Sequence, residues 1–261
     1  MLRLGVVSVM PDMFDVLDLG ITGRALEHGL VQLDRWNPRD WSTNKHRQVD
    51  DQPYGGGPGM VMMYEPLHQA LCYARQQMPE RCRTIYVSPQ GKTVNQEMLS
   101  SIARDMQPLI FLAGRYEGID ERLLQNDVDE EWSLGDFVLS GGEIAAIAFI
   151  DAIIRLLPGS LGHPASAQQD SFMHGLLDHP HYTRPARLTG ADVPAVLLSG
   201  KHRDIERWRK KNALGHTWLK RPDLLDKYNF SAVDQNLLDE FKHEHGEAHN
   251  RASPILGATN D

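Results

Sequence analysis

The sequence predicts an α/β fold, with a mostly parallel sheet in its first part and a small helical domain after it. Short apolar runs rich in β-formers, Leu4–Met10, Thr84–Val87 and Leu109–Ala113, alternate with stretches of helical period, which is the pattern of βαβ units. The later runs each end in a glycine loop, Ser88–Gly91 and Gly114–Gly118, and further glycine turns follow at Ser133–Asp136 and Ser140–Gly142. Past residue 165 the character changes: Pro180, Pro185, Pro194 and Pro222 punctuate a basic, helical segment.

Each element has a local reason. Leu4–Met10 clusters apolar residues as an internal strand does and is closed by Pro11-Asp12, so the start reads as a first strand and not as a leader peptide. Thr22–Leu30 is a short helix. Trp36–Asp51 lacks a sustained period and reads as irregular, with room for an edge strand. Tyr54–Met60 (YGGGPGM) is a hinge or a ligand loop; no Gly-Lys-Ser/Thr follows it, and no GxGxxG occurs in the chain. Met62–Met78 carries apolar residues at helical spacing, and Asn95 caps a helix running to Asp105. Phe137–Leu139 reads as another buried strand ending in Ser140-Gly141-Gly142. Glu143–Leu157 is a strongly apolar helix ended by Pro158-Gly159. Leu161–Asp170 is small, polar and linker-like. Arg203–Trp218 is helical with Ile205, Trp208, Leu214 and Trp218 near one stripe, Asp234–His245 is a final helix, and the tail from Gly246 is frayed. The expected domains are 1–160, a linker 161–172, and 173–261.

The 261 residues can bury a substantial core, and none of the apolar runs approaches the length that spans a bilayer. A cytoplasmic protein with no membrane partner is expected. Cys72 and Cys82 fit no zinc spacing and are taken as packing or surface residues. The net charge of -8 argues against an indiscriminate nucleic-acid binder. Yet Arg184–Arg221 holds ten basic residues against three acidic ones, a net of +7, which suits either a local polyanion contact or a solvated helix face.

Reactive constellations are few. No serine sits in a GxSxG elbow. His243, His245 and His249 spread around a helix, His174, His179 and His181 flank turns, and no metal site is assigned. Glycine turns admit a ligand to bare main chain, so the loops after successive strands suggest a small-molecule site where open α/β sheets bind ligands, at the carboxyl ends of the strands. Arg155 lies in the last turn of an apolar helix, where the dipole favours a cation; Asp170 is either an N-cap or a general base at the domain junction.

The stretches YGGGPGM (54–60), VSPQG (87–91), AGRYEGIDER (113–122), EEWSLGDFVLSGGE (130–143), IDAIIRLLPG (150–159), DSF (170–172), LLDHPHYTRP (176–185) and PAVLLSGKHRDIERWR (194–209), in unbroken order, closely resemble the bacterial tRNA (guanine-N1)-methyltransferase family, TrmD, of the SPOUT class. The resemblance runs over residues 1–230. It implies a deep trefoil knot, a homodimer, S-adenosylmethionine as methyl donor, and methylation of N1 of the guanosine at tRNA position 37, just 3′ of the anticodon. Carried over, the cofactor lies against Tyr86, Val87 and Ser88, Gly114 and Tyr116, Ser133, Leu134, Gly135, Asp136 and Phe137, then Leu139, Gly141 and Gly142. Asp170 matches the family's general base, Arg155 its catalytic arginine, and Glu117 a glutamate near the methyl donor. A magnesium ion is an alternative to Arg155 for stabilising charge on guanine O6. The family's usual proline after Gly141-Gly142-Glu143-Ile144 is Ala145 here, which bears on cofactor affinity and not on the reaction. The rivals are a ribose 2′-O-methyltransferase on a similar knot and a non-catalytic RNA-binding protein.

Overall fold

The computed structural model of the chain describes residues 1–162 and 166–252. They fall into two compact units, Met1–Ala167 and a second that begins at Gln168. The strands, all in the first unit, are β1 (Leu2–Val7), β2 (Val31–Trp36), β3 (Asp50–Asp51), β4 (Val61–Met62), β5 (Arg83–Thr93), β6 (Leu109–Ala113) and β7 (Glu130–Ser133). Five of them form one sheet in the order β2-β1-β6-β5-β7, and every pairing in it is parallel. The other two, β3 and β4, form a short antiparallel ribbon.

Helices α1 (Gly20–Glu27), α2 (Tyr64–Gln77), α3 (Gln96–Asp105), α4 (Glu121–Asp127) and α5 (Glu143–Arg155) cover the sheet. Side-chain alternation sorts the strands' residues between two cores. Leu2, Leu4, Val6, Ile85, Val87, Leu109 and Phe111 pack with α1, α3 and α5, while Val7, Tyr86, Ile110 and Leu112 pack with α2 and α4. Trp132, Phe111 and Phe149 interlock at the first of these, with ring centroids 5.8 to 6.3 Å apart. Helix α5 brings Phe149, Ile150, Ile153 and Ile154 to that core, each fully buried or nearly so. At about 1.5–3 kcal/mol per large apolar side chain, this is the main reason the helix stays on the sheet.

The second unit is helical: α6 (Ser166–Gln169) leads into it, and α7 (Ala195–Leu198), α8 (His202–Lys220), α9 (Pro222–Leu225) and α10 (Ala232–Ala252) follow. Leu176, Leu214, Leu237 and Leu238 form its core.

Several expectations need correction. Phe137–Leu139 is not a strand: Phe137 is 52% and Val138 84% exposed, in a loop between β7 and α5. The apolar triplet reads as buried but instead presents its side chains outward. Trp36 ends a strand, β2, that precedes the irregular stretch. Strand β5 does not stop at Val87; it runs through Ser88–Gly91 to Thr93, with a register shift against β7 between Val87 and Lys92. The first strand ends at Val7, and Pro11–Asp18 winds into a 3-10 helix. Helix α10 continues past Gly246 to Ala252, so fraying does not begin at Gly246; the rest of the expected tail, 253–261, lies outside the described residues, as do linker residues 163–165.

Candidate active site

The irregular middle of β5, past Val87, lies beside the carboxyl ends of β6 and β7, and with the loops that leave those two strands it encloses a cavity of about 370 Å³. Tyr86, Val87, Ser88, Gly114, Tyr116, Glu117, Ser133, Leu134, Gly135, Phe137, Leu139, Gly141 and Gly142 all line it. Of the residues expected there, Asp136 is absent from the lining. Arg155 lies elsewhere, in the last turn of α5.

Main-chain hydrogen bonds hold the loops to one another. The Gly142 N–H donates to the Gly114 carbonyl at 2.9 Å, and Arg115 forms an isolated antiparallel bridge to Gly141. Gly142 is confined: a Cβ there would sit 3.0 Å from Ala113 Cα and 3.2 Å from both Gly114 N and the Val87 carbonyl oxygen. The loop after β7 folds on itself, with Ser133 Oγ accepting from Gly135 N at 3.1 Å and Phe137 N donating to the Gly135 carbonyl at 2.9 Å. Tyr116 takes φ +60, a left-handed conformation rare for a bulky residue and met where surrounding structure dictates the backbone. Its neighbour Glu117 is fixed through its N–H, which donates to the Met60 carbonyl at 2.9 Å, so the glycine-rich stretch 54–60 is tied to the cavity's rim.

Outside the lining, Arg115 joins a buried polar cluster. Glu143, the first residue of α5, has no exposure; Ser8 Oγ donates to its Oε1 at 2.8 Å and Arg115 Nε to its Oε2 at 3.0 Å. A carboxylate at a helix N-terminus is favoured by the helix dipole as well. Tyr86 is pushed up to about 12 by burial, with Glu131 adding to the shift, so it stays a neutral phenol at the wall.

Sequence reasoning missed lining residues of two kinds. Pro89, Gln90, Arg115, Gly118, Ile119, Glu121, Val138, Ser140 and Ala145 sit within or beside the motifs already singled out. Leu124 comes from beyond them, on α4, a seven-residue helix whose sequence signal is Asp120, whose side chain accepts from Arg122 N at 3.0 Å.

Asp170 belongs to the second unit. There it lines a cavity of about 420 Å³ with Gln169, His174, Leu176, Leu177, Asp178, His179, Glu206, Arg209, Lys210 and Ala213. Asp178 is flanked by two imidazoles, His179 Nδ1 at 2.7 Å and His181 Nε2 at 2.8 Å. Burial works against its charge, but hydrogen bonds from His181 and from the His179 N–H outweigh that and hold the carboxyl below its usual range. His179 moves down because it is buried, against the pull of Asp178. His174 takes no part in that trio, and the His249 side chain lies outside the described residues. The basic segment is partly neutralised by α10: Arg207 pairs with Glu240 at 2.5 Å, Lys211 with Glu244 at 2.6 Å, and Lys210 with Asp234 at 3.5 Å.

Comparison with known proteins gives one family. The family model described as tRNA (Guanine-1)-methyltransferase TrmD matches residues 2–227. A protein of Legionella pneumophila (strain Philadelphia 1) named tRNA (guanine-N(1)-)-methyltransferase is 65% identical over 247 residues, covering 95% of this chain and 99% of its own length. Proteins of the same name from Nitrosococcus oceani and Escherichia fergusonii are 55% and 52% identical, over 95% and 94% of this chain and 98% and 96% of their own lengths.

Proposed function

Because the chain belongs to the tRNA (guanine-1)-methyltransferase family, we propose that it transfers a methyl group from S-adenosylmethionine to N1 of the guanosine at tRNA position 37. That it methylates tRNA guanine at N1 follows from the family and from relatives at 52–65% identity over most of the chain. One observation supports the donor and its place: the glycine loops after β6 and β7 close with the middle of β5 on a single cavity, with main chain on its walls.

The cavity fits that donor. Its volume is in the range of small-molecule sites, about 300–1,000 Å³, and its wall at Gly142 has no room for a side chain. Exposed Leu134, Phe137 and Leu139 offer apolar surface for a purine, and Glu117 and Glu121 bring carboxylates to a site meant for a cation. S-adenosylmethionine supplies a methyl carbon made electrophilic by a sulfonium, whose C–S electron pair returns to sulfur.

The remaining chemistry falls to the chain's own residues. Guanine N1 carries a proton at neutral pH, and its lone pair is free for attack only once that proton leaves. Asp170 accepts it. Negative charge then grows on guanine O6, which Arg155 stabilises, with a magnesium ion as the alternative partner. Glu117 orients the methyl donor. The second unit holds the tRNA and offsets the few kcal/mol needed to unstack the base. The protein works as a homodimer in the cytoplasm, with the family's deep trefoil knot in the first unit, and the domain limits are 1–160 and 173–261 around a linker. Among the described residues no helix is long and apolar enough to cross a membrane.

The test uses labelled S-adenosylmethionine and two tRNA transcripts that differ only in guanosine or adenosine at position 37. Label in the guanosine transcript alone, recovered as 1-methylguanosine, is the expected result. A 2′-O-methyl nucleoside in its place refutes the target atom. Asp170→Asn and Arg155→Gln are each expected to lower turnover roughly 10²- to 10⁴-fold, with tRNA binding retained.

A further inference from the structure

The glycine-rich stretch 54–60 gives no residue to the cavity lining, yet it meets one that does. Gly55, Gly56 and Gly57 all take positive φ, and a Cβ on any of them would have nothing within 4 Å. Gly59, at φ +79, differs: a Cβ there would lie 2.4 Å from Glu117 Oε1, 2.5 Å from its Cγ and 2.8 Å from its Cδ. The Glu117 side chain thus runs through the space that any side chain at position 59 would fill. Main-chain bonds fix this meeting. The Glu117 N–H donates to the Met60 carbonyl and the Met62 N–H to the Gly118 carbonyl, each at 2.9 Å. The Asp120 N–H donates to the Met62 carbonyl at 3.1 Å, and Met62 bridges Ile119 in parallel. Met62 also ends β4, which is paired with β3. Gly59 cannot move away from Glu117 without opening that seam.

We propose that Gly59 is the positioning residue for Glu117: its bare Cα is the seat that keeps the Glu117 side chain at the cavity, so that Gly59 serves methyl transfer through Glu117 without touching the donor. The inference rests on the reading above, in which Glu117 orients S-adenosylmethionine. Two demands coincide at position 59. A φ of +79 is left-handed and favours glycine, and the room beside the Cα is already taken. A methyl group there would turn Glu117 into another rotamer. Because a glutamate side chain swings on staggered single bonds, that turn is cheap for the fold, and the loss falls on where the carboxylate points. A group misplaced by about 1 Å can slow a positioned reaction on the order of 10²-fold. In the sequence the four glycines of YGGGPGM look alike, and only the fold sets Gly59 apart from the other three.

Gly56→Ala is the matched control, because Gly56 has φ +75, nearly the same backbone strain, and open space around it. In the full chain, the single-turnover rate of methyl transfer at saturating S-adenosylmethionine and tRNA should fall roughly 10- to 100-fold in Gly59→Ala and far less in Gly56→Ala. The two variants should melt together and should bind S-adenosylmethionine within about threefold of the unaltered chain, so that the defect lies in the transfer step and not in binding. Glu117→Ala removes the side chain that the new methyl displaces. In that background Gly59→Ala should slow transfer no more than Gly56→Ala does alone, the non-additivity of two residues that act through one contact. Equal losses in Gly56→Ala and Gly59→Ala, a Gly59→Ala chain that melts well below its control, or a full further loss on top of Glu117→Ala would overturn the seat while leaving the role of Glu117 intact. Failure of the underlying reading has a different signature: Glu117→Ala as fast as the unaltered chain, or no transfer by the unaltered chain at all, and either result overturns this inference with it.

Discussion

Arg115 lines the cavity and is held from outside it by Glu143. Glu143 is fully enclosed, and its charge is balanced by one guanidinium and one hydroxyl. Removing the guanidinium leaves a buried carboxylate uncompensated, a loss of about 3–5 kcal/mol. Arg115→Ala should therefore lower the unfolding free energy of the first unit by that order in a denaturant titration, and an Arg115→Ala/Glu143→Gln pair should recover part of it. Gly142→Ala tests the seam instead. With Ala113, Gly114 and Val87 all within 3.2 Å of the added methyl, the loops must part, at a cost of about 1–3 kcal/mol. Calorimetry should show S-adenosylmethionine affinity falling at least tenfold, while the second unit melts as before. Ala145 is buried at the third position of α5, where the N–H has no intrahelical acceptor, so restoring proline there should leave stability within about 1 kcal/mol.

Elements differ in how openly they announce themselves. The strands β1 and β6 and helices α2, α3, α5 and α8 are legible because period, cap and breaker agree: Asn95 Oδ1, for instance, accepts from Met98 N at 3.0 Å where the sequence placed an N-cap. What escaped is set by tertiary contact. Strand β7, EEWS, has no alternation of its own and exists because β5 pairs with it; Phe137–Leu139 has the composition of a strand and no neighbour to pair with. The site loops were readable since glycine clusters are local, whereas Leu124 arrives on α4 through packing. In the second unit, α8 and α10 meet at Gly215, where a Cβ would lie 2.2 Å from Phe241 Cγ, against the root of a buried ring. Gly215→Ala should cost about 1–3 kcal/mol in the second unit's melting, and Phe241→Leu should relieve it.

Across the whole molecule, two compact units imply two cooperative transitions, and their responses to acid should differ. Burial lowers both His179 and His216 below the ordinary 6.5, so the unfolded chain binds protons there before the folded one does. Asp178 and Asp234 are likewise held below the ordinary carboxylate value: burial opposes their charge, and hydrogen bonds from neighbours prevail. Both effects carry one sign. The stabilisation is complete above pH 6.5 and declines as pH falls, first through the histidines and then, below 3.8, through the aspartates. Scanning calorimetry from pH 7.5 to about 3 should show the second unit's transition dropping, and His179→Gln should flatten the upper part of that drop.

The hydrogen bond from Gly142 to Gly114 joins two peptide groups, and no side chain takes part in it. A competitor that occupied this cavity by bonding to other main-chain groups of the same loops would rest on atoms that side-chain substitution leaves in place. Point substitutions could not delete those contacts without also reshaping the seam that the natural donor needs, so escape would have to come from the exposed rim at Phe137–Leu139. An inhibitor kept clear of that rim leaves resistance the fewest routes.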